Sequence, residues 1–95
     1  MISTHVLDTE QGRPAAGVRV ELYRGDELVG SGETDANGRL DIGEISESGD
    51  YRLVFHPVSS SFFKRVEIEV SIDDTGPLHL PMLLAPYSCT TYRGS

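Results

Sequence analysis

Three histidines, one cysteine and an arginine beside a turn are the candidates for chemistry in this chain. The histidines are His5, His56 and His79, and no metal-ligand spacing such as His-x-x-x-His joins any two of them. A histidine on a strand is more often structural than catalytic, so position alone assigns none of them a role. The single Cys89 has no basic neighbour in the sequence and is interpreted as a small strand residue. Metal binding therefore has no local support.

Arg39 and the last four residues are the other polar features that require an interpretation. Arg39 directly follows an Asn-Gly pair, where a solvated arginine is the usual outcome and an anion clamp on a rigid loop is the functional alternative. Position alone favours the solvated arginine. Residues 92–95 (YRGS) are on general grounds a frayed tail.

Two common hydrolytic arrangements find no support in the sequence. Serine and aspartate are plentiful, yet no Gly-x-Ser-x-Gly motif occurs, and that motif needs a strand-to-helix turn that this chain does not offer. The acidic residues lie on alternating strand faces and in turns, so a glycosidase carboxylate pair is not indicated either.

Composition predicts one small, acidic domain that spans residues 1–95. Acidic residues number 15 against 8 basic ones, which gives a formal charge of −7 and disfavours nucleic acid and anionic membrane surfaces as partners. No apolar run approaches the roughly 18 residues that a membrane span needs. The lone cysteine and the absence of an export signal predict a cytoplasmic protein.

Alternation of apolar and polar residues runs through the whole chain and predicts an all-β fold. The clearest case is 64–72, where four β-branched residues alternate with acidic and polar ones. Residues 17–23 follow the same pattern, 51–56 are a shorter apolar strand and 1–7 are a further strand. Turn signals separate these runs at short spacing. We therefore expect a two-sheet antiparallel β-sandwich of seven or eight strands.

Two segments carry more specific structural expectations. The Asn-Gly pair at 37–38 predicts a tight hairpin, with Arg39 at its mouth. Residues 78–86 (LHLPMLLAP) are the most apolar stretch but contain two prolines, which lack the N–H group that a central strand needs. We therefore expect an edge strand or a bulge there, covered by another subunit.

Three separated motifs are distributed along the chain. The first comprises 3–9 (STHVLDT) and 12–18 (GRPAAGV), and the second is 34–39 (TDANGR). The third comprises 79–87 (HLPMLLAPY) and 91–95 (TYRGS), whose final tetrapeptide is the most specific element. Together these motifs resemble those of the 5-hydroxyisourate hydrolases, the transthyretin-related enzymes of urate breakdown. The resemblance covers the whole chain and implies the transthyretin-like sandwich fold.

That resemblance also implies a function and a set of site residues. The implied reaction is hydrolysis of 5-hydroxyisourate to 2-oxo-4-hydroxy-4-carboxy-5-ureidoimidazoline in purine catabolism, with no metal or organic cofactor. The implied catalytic residues are His5, Arg39, His79 and Ser95. Tyr92, Arg93 and Gly94 are implied to shape the substrate pocket. The implied assembly is a homotetramer with active sites in channels between dimers.

General chemistry suggests how such residues would share the work. A neutral histidine can take a proton from water, and an arginine can bind adjacent carbonyl oxygens and stabilise a developing oxyanion. Either His5 or His79 is then the general base, the other orients water or substrate, Arg39 binds the carbonyls and Ser95 closes the pocket.

One departure from the family pattern and three alternative functions remain at this point. The segment between Phe55 and Phe63 is shorter than in relatives, and the connection before Tyr51 also looks trimmed, which affects an outer face and no motif position. The first alternative is a non-catalytic transthyretin-like carrier of a small aromatic ligand, against which the polar histidines and tail argue. The others are a structural β-sandwich accessory domain and a zinc hydrolase.

Overall fold

The computed structural model describes residues 1–58, 62–73 and 76–94, which form nine strands and no helix. The strands are β1 (Ile2–Asp8), β2 (Arg13–Pro14), β3 (Arg19–Arg24), β4 (Glu27–Glu33), β5 (Arg39–Gly43), β6 (Gly49–His56), β7 (Val66–Ile72), β8 (Leu78–Ala85) and β9 (Ser88–Thr91). Within these residues there is accordingly no helix that could cross a membrane. The all-β prediction is confirmed, and the strand count exceeds seven or eight because the two-residue β2 is included.

The strands form two sheets that pack face to face. The first, called the site sheet below, has the order β2-β1-β8-β9, with β5 pairing along the same edge of β1 as the short β2. The second sheet has the order β4-β3-β6-β7 and is antiparallel throughout. The expectation of antiparallel pairing is wrong for one pair of the site sheet, because β1 and β8 run parallel over seven residue pairs.

Alternation along the strands places one face of each sheet in the core. On the site sheet Ile2 and Val6 of β1 are fully buried, as is nearly all of Met82 on β8. Buried residues of β3 and β6 pack against them, namely Val20, Leu22, Tyr51, Leu53 and Phe55. Thr4 is a buried polar residue of β1, and its hydroxyl donates to the Leu80 carbonyl of β8 at 2.6 Å. This bond satisfies a buried hydroxyl and fixes the register of the two strands.

The predicted edge position of the proline-containing segment is wrong. β8 lies inside the site sheet, between β1 and β9, and its pairings carry no register shift. The His79 carbonyl accepts from Gly94 N–H at 2.7 Å and the Pro81 carbonyl from the Thr91 hydroxyl at 2.8 Å, so both residues direct their backbone groups toward β9. Pairing with β9 is interrupted there, between Thr91 and Gly94. The missing N–H of Pro81 therefore costs no bond to β1. Leu78, Leu80 and Met82 of β8 are buried in the core.

The Asn-Gly turn is tight, as predicted, but it does not join a hairpin. Asp35 N–H donates to the Arg39 carbonyl and Gly38 N–H to the Asp35 carbonyl, both at 2.9 Å. β4 belongs to the second sheet, whereas β5 pairs with β1 in the site sheet. The turn thus carries the chain from one sheet to the other, and Val6 N–H of β1 donates to the Gly38 carbonyl at 2.7 Å to hold it there.

Gly38 is expected to be essential for this crossing. Its φ is +76°, and a Cβ would overlap the Val6 carbonyl oxygen. Gly17 is the matched control, since its φ is +75° and a Cβ there would meet no atom within 4 Å. Gly17→Ala is expected to lower the free energy of unfolding by about 1–2 kcal/mol, the cost of a left-handed alanine. Gly38→Ala is expected to lower it by distinctly more, measured by urea denaturation, and equal losses would contradict the proposed overlap.

Candidate functional site

The outward face of the site sheet carries two of the predicted catalytic residues side by side. Residues 3 and 5 of β1 alternate with the buried Ile2, Thr4 and Val6, so they lie on the face away from the core. The parallel register pairs Ser3 with His79 and His5 with Pro81. His5 and His79 are therefore diagonal neighbours on adjacent strands, which lie about 5 Å apart.

Arg39 joins them from the other side of β1. The antiparallel pairing of β5 with β1 sets Arg39 opposite His5 and Asp41 opposite Ser3. Arg39 is exposed, and its guanidinium makes no ion pair or hydrogen bond with any other described residue. Four other arginines pair with glutamates, as Arg19–Glu21, Arg24–Glu47, Arg52–Glu67 and Arg65–Glu67. Among the described residues the guanidinium of Arg39 is thus unpaired, and it can bind a ligand.

The turn that precedes Arg39 fixes its backbone and leaves its side chain free. The Asp35 carboxylate accepts from Asn37 N–H at 2.8 Å and from Arg39 N–H at 3.0 Å. Thr34, one residue earlier, donates its hydroxyl proton to the Ala15 carbonyl at 2.7 Å and accepts from Val18 N–H at 2.9 Å. Residues of the second sequence motif therefore tie β5 to the chain around residues 15–18 by hydrogen bonds.

The pKa of Asp35 reflects this geometry. The backbone N–H of Arg39, and then that of Asn37, hold the pKa of the Asp35 carboxyl below its usual range. The side-chain charges of Arg39 and His5 act in the same direction. Asp35 is accordingly a charged anchor for the turn, placed close enough to His5 for their charges to interact.

His79 is held on two sides of its ring. Its Nδ1 lies 2.9 Å from the Ser3 hydroxyl oxygen. On the opposite edge, a Cβ on Gly94 would approach the His79 Cδ2 atom to 2.9 Å, and Gly94 N–H donates to the His79 carbonyl at 2.7 Å. The Nε2 atom makes no hydrogen bond within residues 1–58, 62–73 and 76–94, so it is the free end of the ring.

The predicted tail residues have different positions relative to this group. Gly94 lies against His79, as just described. Tyr92 and Arg93 directly precede it and are exposed, Tyr92 by 55%. Ser95 lies outside the described residues. The structure therefore brings together His5, Arg39, His79 and Gly94, and the catalytic roles assigned to these residues remain predictions.

His56 and Cys89 lie away from this face. His56 is on β6 of the second sheet, with its Nε2 2.6 Å from a Glu21 carboxylate oxygen. That hydrogen bond is the main reason that the pKa of Glu21 lies below its usual range. The free Cys89 packs partly buried against the core. A structural role fits both residues.

On this face of the single chain His5 and His79 are half-buried and Arg39 is exposed. One cleft of about 580 Å³ is lined by His56, Phe62, Phe63, Lys64, Arg65 and Glu67. Another, of about 310 Å³, lies where Asp8, Val18, Pro57 and Leu84 meet. Neither cleft includes His5, Arg39 or His79. In the part of the chain that the structure describes, no three His, Cys, Asp or Glu side chains are grouped as metal ligands.

Two further polar residues of this face were not predicted as site residues. Ser3 contacts His79 directly, and Asp41 lies exposed opposite Ser3. Alternation in 2–8 already places Ser3 and His5 on one face. The partner of Ser3 could not be predicted in the same way, because the pairing of β1 with β8 joins residues 76 positions apart.

The two-sheet fold and the outward face of the site sheet together define a class of protein. Its members are two-sheet β-sandwiches with a candidate site of histidine and arginine side chains on the outer face of one sheet. The solved structure of Klebsiella pneumoniae 5-hydroxyisourate hydrolase is similar at a TM-score of 0.87 and 35% identity, covering 99% of this chain and 97% of that one. A "Probable 5-hydroxyisourate hydrolase" of Schizosaccharomyces pombe is 38% identical over 112 residues, 99% of this chain and 90% of its own length. The 5-hydroxyisourate hydrolase of Deinococcus radiodurans is 38% identical over 113 residues, 99% of this chain and 95% of its own.

The model of the HIUase/Transthyretin family matches residues 2–94. The chain belongs to this family. The alignment with the Schizosaccharomyces pombe relative extends over 112 positions, more than the 95 residues of this chain, so that relative contains residues that this chain lacks. The location of the shortening, between Phe55 and Phe63 and before Tyr51, stays a prediction.

The anchoring role of Asp35 makes a prediction about acid stability. Because its folded pKa is lowered below an unfolded value of about 3.9, the carboxylate stabilises the fold above that pH, and this contribution is lost as pH falls through the folded pKa. Asp35→Asn is expected to unfold at lower urea concentration than the parent near pH 7. The two midpoints are expected to converge in acid.

Asp26 provides the control for this measurement. It is an exposed turn aspartate that makes no hydrogen bond to other described residues, so Asp26→Asn is expected to leave the urea midpoint near that of the parent. A constant difference between Asp35→Asn and the parent at every pH would contradict a charge-dependent anchor.

Proposed function

We propose that this protein hydrolyses 5-hydroxyisourate to 2-oxo-4-hydroxy-4-carboxy-5-ureidoimidazoline. The single observation that carries the proposal is the convergence of His5, Arg39 and His79 on one outward sheet face. The names of the relatives support the choice of substrate, because curated full-length relatives at 38% identity are called 5-hydroxyisourate hydrolases. The chain acts as one domain.

The chemistry needs an activated water and a stabilised oxyanion. The water oxygen bonds to a ring carbonyl carbon, the ring C–N bond breaks, and the water proton ends on the leaving nitrogen. The carbon becomes the carboxyl group of the product and the nitrogen becomes part of its ureido group. A neutral imidazole can move the proton, and the free Arg39 guanidinium can bind the oxygen that becomes negative.

The proposal includes the assembly that covers the site. The catalytic face is open in one chain, so a second copy is needed to exclude water and form a channel. We propose a homotetramer in which Tyr92, Arg93 and Gly94 line the channel and Ser95 closes it. The exposure of Tyr92 beside the site supports this placement.

A reducing compartment suits the chain as described. The sequence has one cysteine, which is free and packed against the core, so the fold uses no disulfide. We place the protein in the cytoplasm for this reason.

The activity test is the ultraviolet decay of 5-hydroxyisourate, generated fresh from urate by urate oxidase. The protein is expected to accelerate the decay well beyond the spontaneous rate, and a chelator is expected to leave that rate unchanged. Arg39→Ala is expected to lower turnover by about 100- to 1000-fold, as for loss of an oxyanion donor, with an unchanged urea midpoint. Arg19→Ala, an exposed arginine of the second sheet, is the matched control.

Three outcomes would contradict this proposal. Full activity of Arg39→Ala would remove Arg39 from the mechanism. A folded tetramer that does not accelerate the decay would favour a ligand carrier instead, and an activity lost with chelator would favour a zinc hydrolase.

The proposed tetramer is tested by measuring its mass in solution and its specific activity on dilution. Sedimentation is expected to give about four times the 10.4 kDa chain mass. The specific activity is expected to fall as the tetramer dissociates on dilution, because the separated face is open to water. A fully active monomer would contradict the requirement for a second copy.

A further inference from the structure

We propose that Ser3 is a positioning residue that donates its hydroxyl proton to Nδ1 of His79, which makes His79 a hydrogen-bond donor at Nε2 and leaves His5 as the general base. This inference rests on the proposed function, and it assigns the two histidines that the sequence left interchangeable. It is carried by contacts that involve His79 from two neighbouring segments of the site sheet.

The direction of the Ser3–His79 hydrogen bond sets the tautomer of His79. A serine hydroxyl has one proton, and a neutral imidazole carries its proton on only one nitrogen. The Ser3 hydroxyl makes one hydrogen bond with the described residues, the 2.9 Å contact to His79 Nδ1. Donation to Nδ1 uses that proton and places the imidazole proton on Nε2. In the reverse direction the imidazole proton would lie on Nδ1. Each direction leaves one proton without an acceptor among these residues, on Nε2 in the first case and on the serine oxygen in the second, and we assign it to Nε2 because there it can bind a substrate oxygen on the site face.

The surroundings of His79 hold the ring in this orientation. Ser3 contacts the Nδ1 edge, and Gly94 lies so close to the Cδ2 edge that a Cβ there would come within 2.9 Å. One residue further along both strands, the Thr4 hydroxyl donates to the Leu80 carbonyl at 2.6 Å and keeps the strands in register. Rotation of the ring would break the Ser3 hydrogen bond, and Gly94 limits the space on the other edge, so Nε2 stays directed away from both residues.

His5 is left as the residue that can accept a proton. It lies on the same face, opposite Arg39, and its ring makes no hydrogen bond with the described residues. The groups around the two imidazoles are Arg39 and Asp41 on β5 and Asp35 in the preceding turn. In the hydrolytic step His5 takes a proton from water as the water oxygen bonds to the carbonyl carbon. His5 then returns that proton to the leaving nitrogen, while Arg39 and the Nε2–H of His79 bind the oxyanion.

Glutamine variants distinguish a histidine that acts as a hydrogen-bond donor from one that acts as a general base. A glutamine amide can replace Nε2–H as a hydrogen-bond donor, whereas it cannot accept a proton from water. His79→Gln is therefore expected to retain at least about tenfold more activity than His79→Ala, each measured above the spontaneous decay. His5→Gln is expected to be as inactive as His5→Ala. The reverse pattern, with rescue at position 5 and none at 79, would overturn the assignment.

Ser3 variants test the positioning role itself. Ser3→Ala is expected to lower kcat by about 10- to 100-fold with little change in KM, because the ring loses its anchor without losing a substrate contact. Ser3→Thr keeps the hydroxyl and is expected to recover most of the activity. Ser71→Ala, an exposed serine on β7 of the second sheet, is the control. Equal activity of Ser3→Ala and the parent would overturn the proposal.

The tautomer of His79 can be determined by NMR, without any measurement of activity. In ¹⁵N- and ¹³C-labelled protein at neutral pH, the ring correlations of His79 are expected to report protonation at Nε2 alone. In Ser3→Ala they are expected to report exchange between the two tautomers. An Nδ1–H tautomer in the parent would overturn the proposal even if hydrolysis is observed. An Nε2–H tautomer that depends on Ser3, in a protein that does not hydrolyse 5-hydroxyisourate, would refute the proposed function and leave the hydrogen bond established.

Discussion

The parallel pairing of β1 with β8 is the contact on which both the core and the site depend. Seven residue pairs connect the two strands, and the inward pairs supply buried residues while the outward pairs supply Ser3–His79 and His5–Pro81. A slip by one residue would turn each outward side chain toward the core. The buried bond from the Thr4 hydroxyl to the Leu80 carbonyl opposes such a slip, because breaking it would leave a buried polar group unpaired. The geometry of the histidines is thus a consequence of core packing.

The position of Arg39, the third site residue, depends on a local turn instead. Arg39 reaches the face because the preceding turn crosses from the second sheet to β1, where the Gly38 carbonyl accepts from Val6 N–H. The hydrogen bonds of this turn involve the Arg39 backbone and the Asp35 carboxylate, and none of them involves the guanidinium. Backbone order and a free side chain are therefore combined at one residue, which is what preorganised binding of an oxyanion requires.

Features that depend on local pattern could be predicted from the sequence, and those that depend on distant pairing could not. Alternation predicted the strands, including β7 with its exposed Glu67 and Glu69, and the Asn-Gly pair predicted a tight turn. The partner of each strand is not predictable from local pattern, so the Asn-Gly pair predicts a hairpin although its flanking strands lie in different sheets. Pro81 predicts an edge strand, since the interruption of pairing with β9 is not visible in the sequence. Local pattern assigns no role to Ser3, because its partner is a residue 76 positions away.

An open face and an electrostatic mechanism are difficult to reconcile in a single chain. Two unit charges about 4 Å apart interact by about 1 kcal/mol in bulk water and by about 4 kcal/mol at an effective dielectric constant of about 20. The Arg39 guanidinium on an exposed strand is near the first limit, where it would stabilise an oxyanion little more than water does. Covering the face moves it toward the second limit and excludes competing water. The same requirement applies to the proposed Nε2–H of His79, which is a useful donor only where water does not replace it. The proposed assembly would therefore contribute directly to catalysis, because it changes the medium in which the fixed donors act.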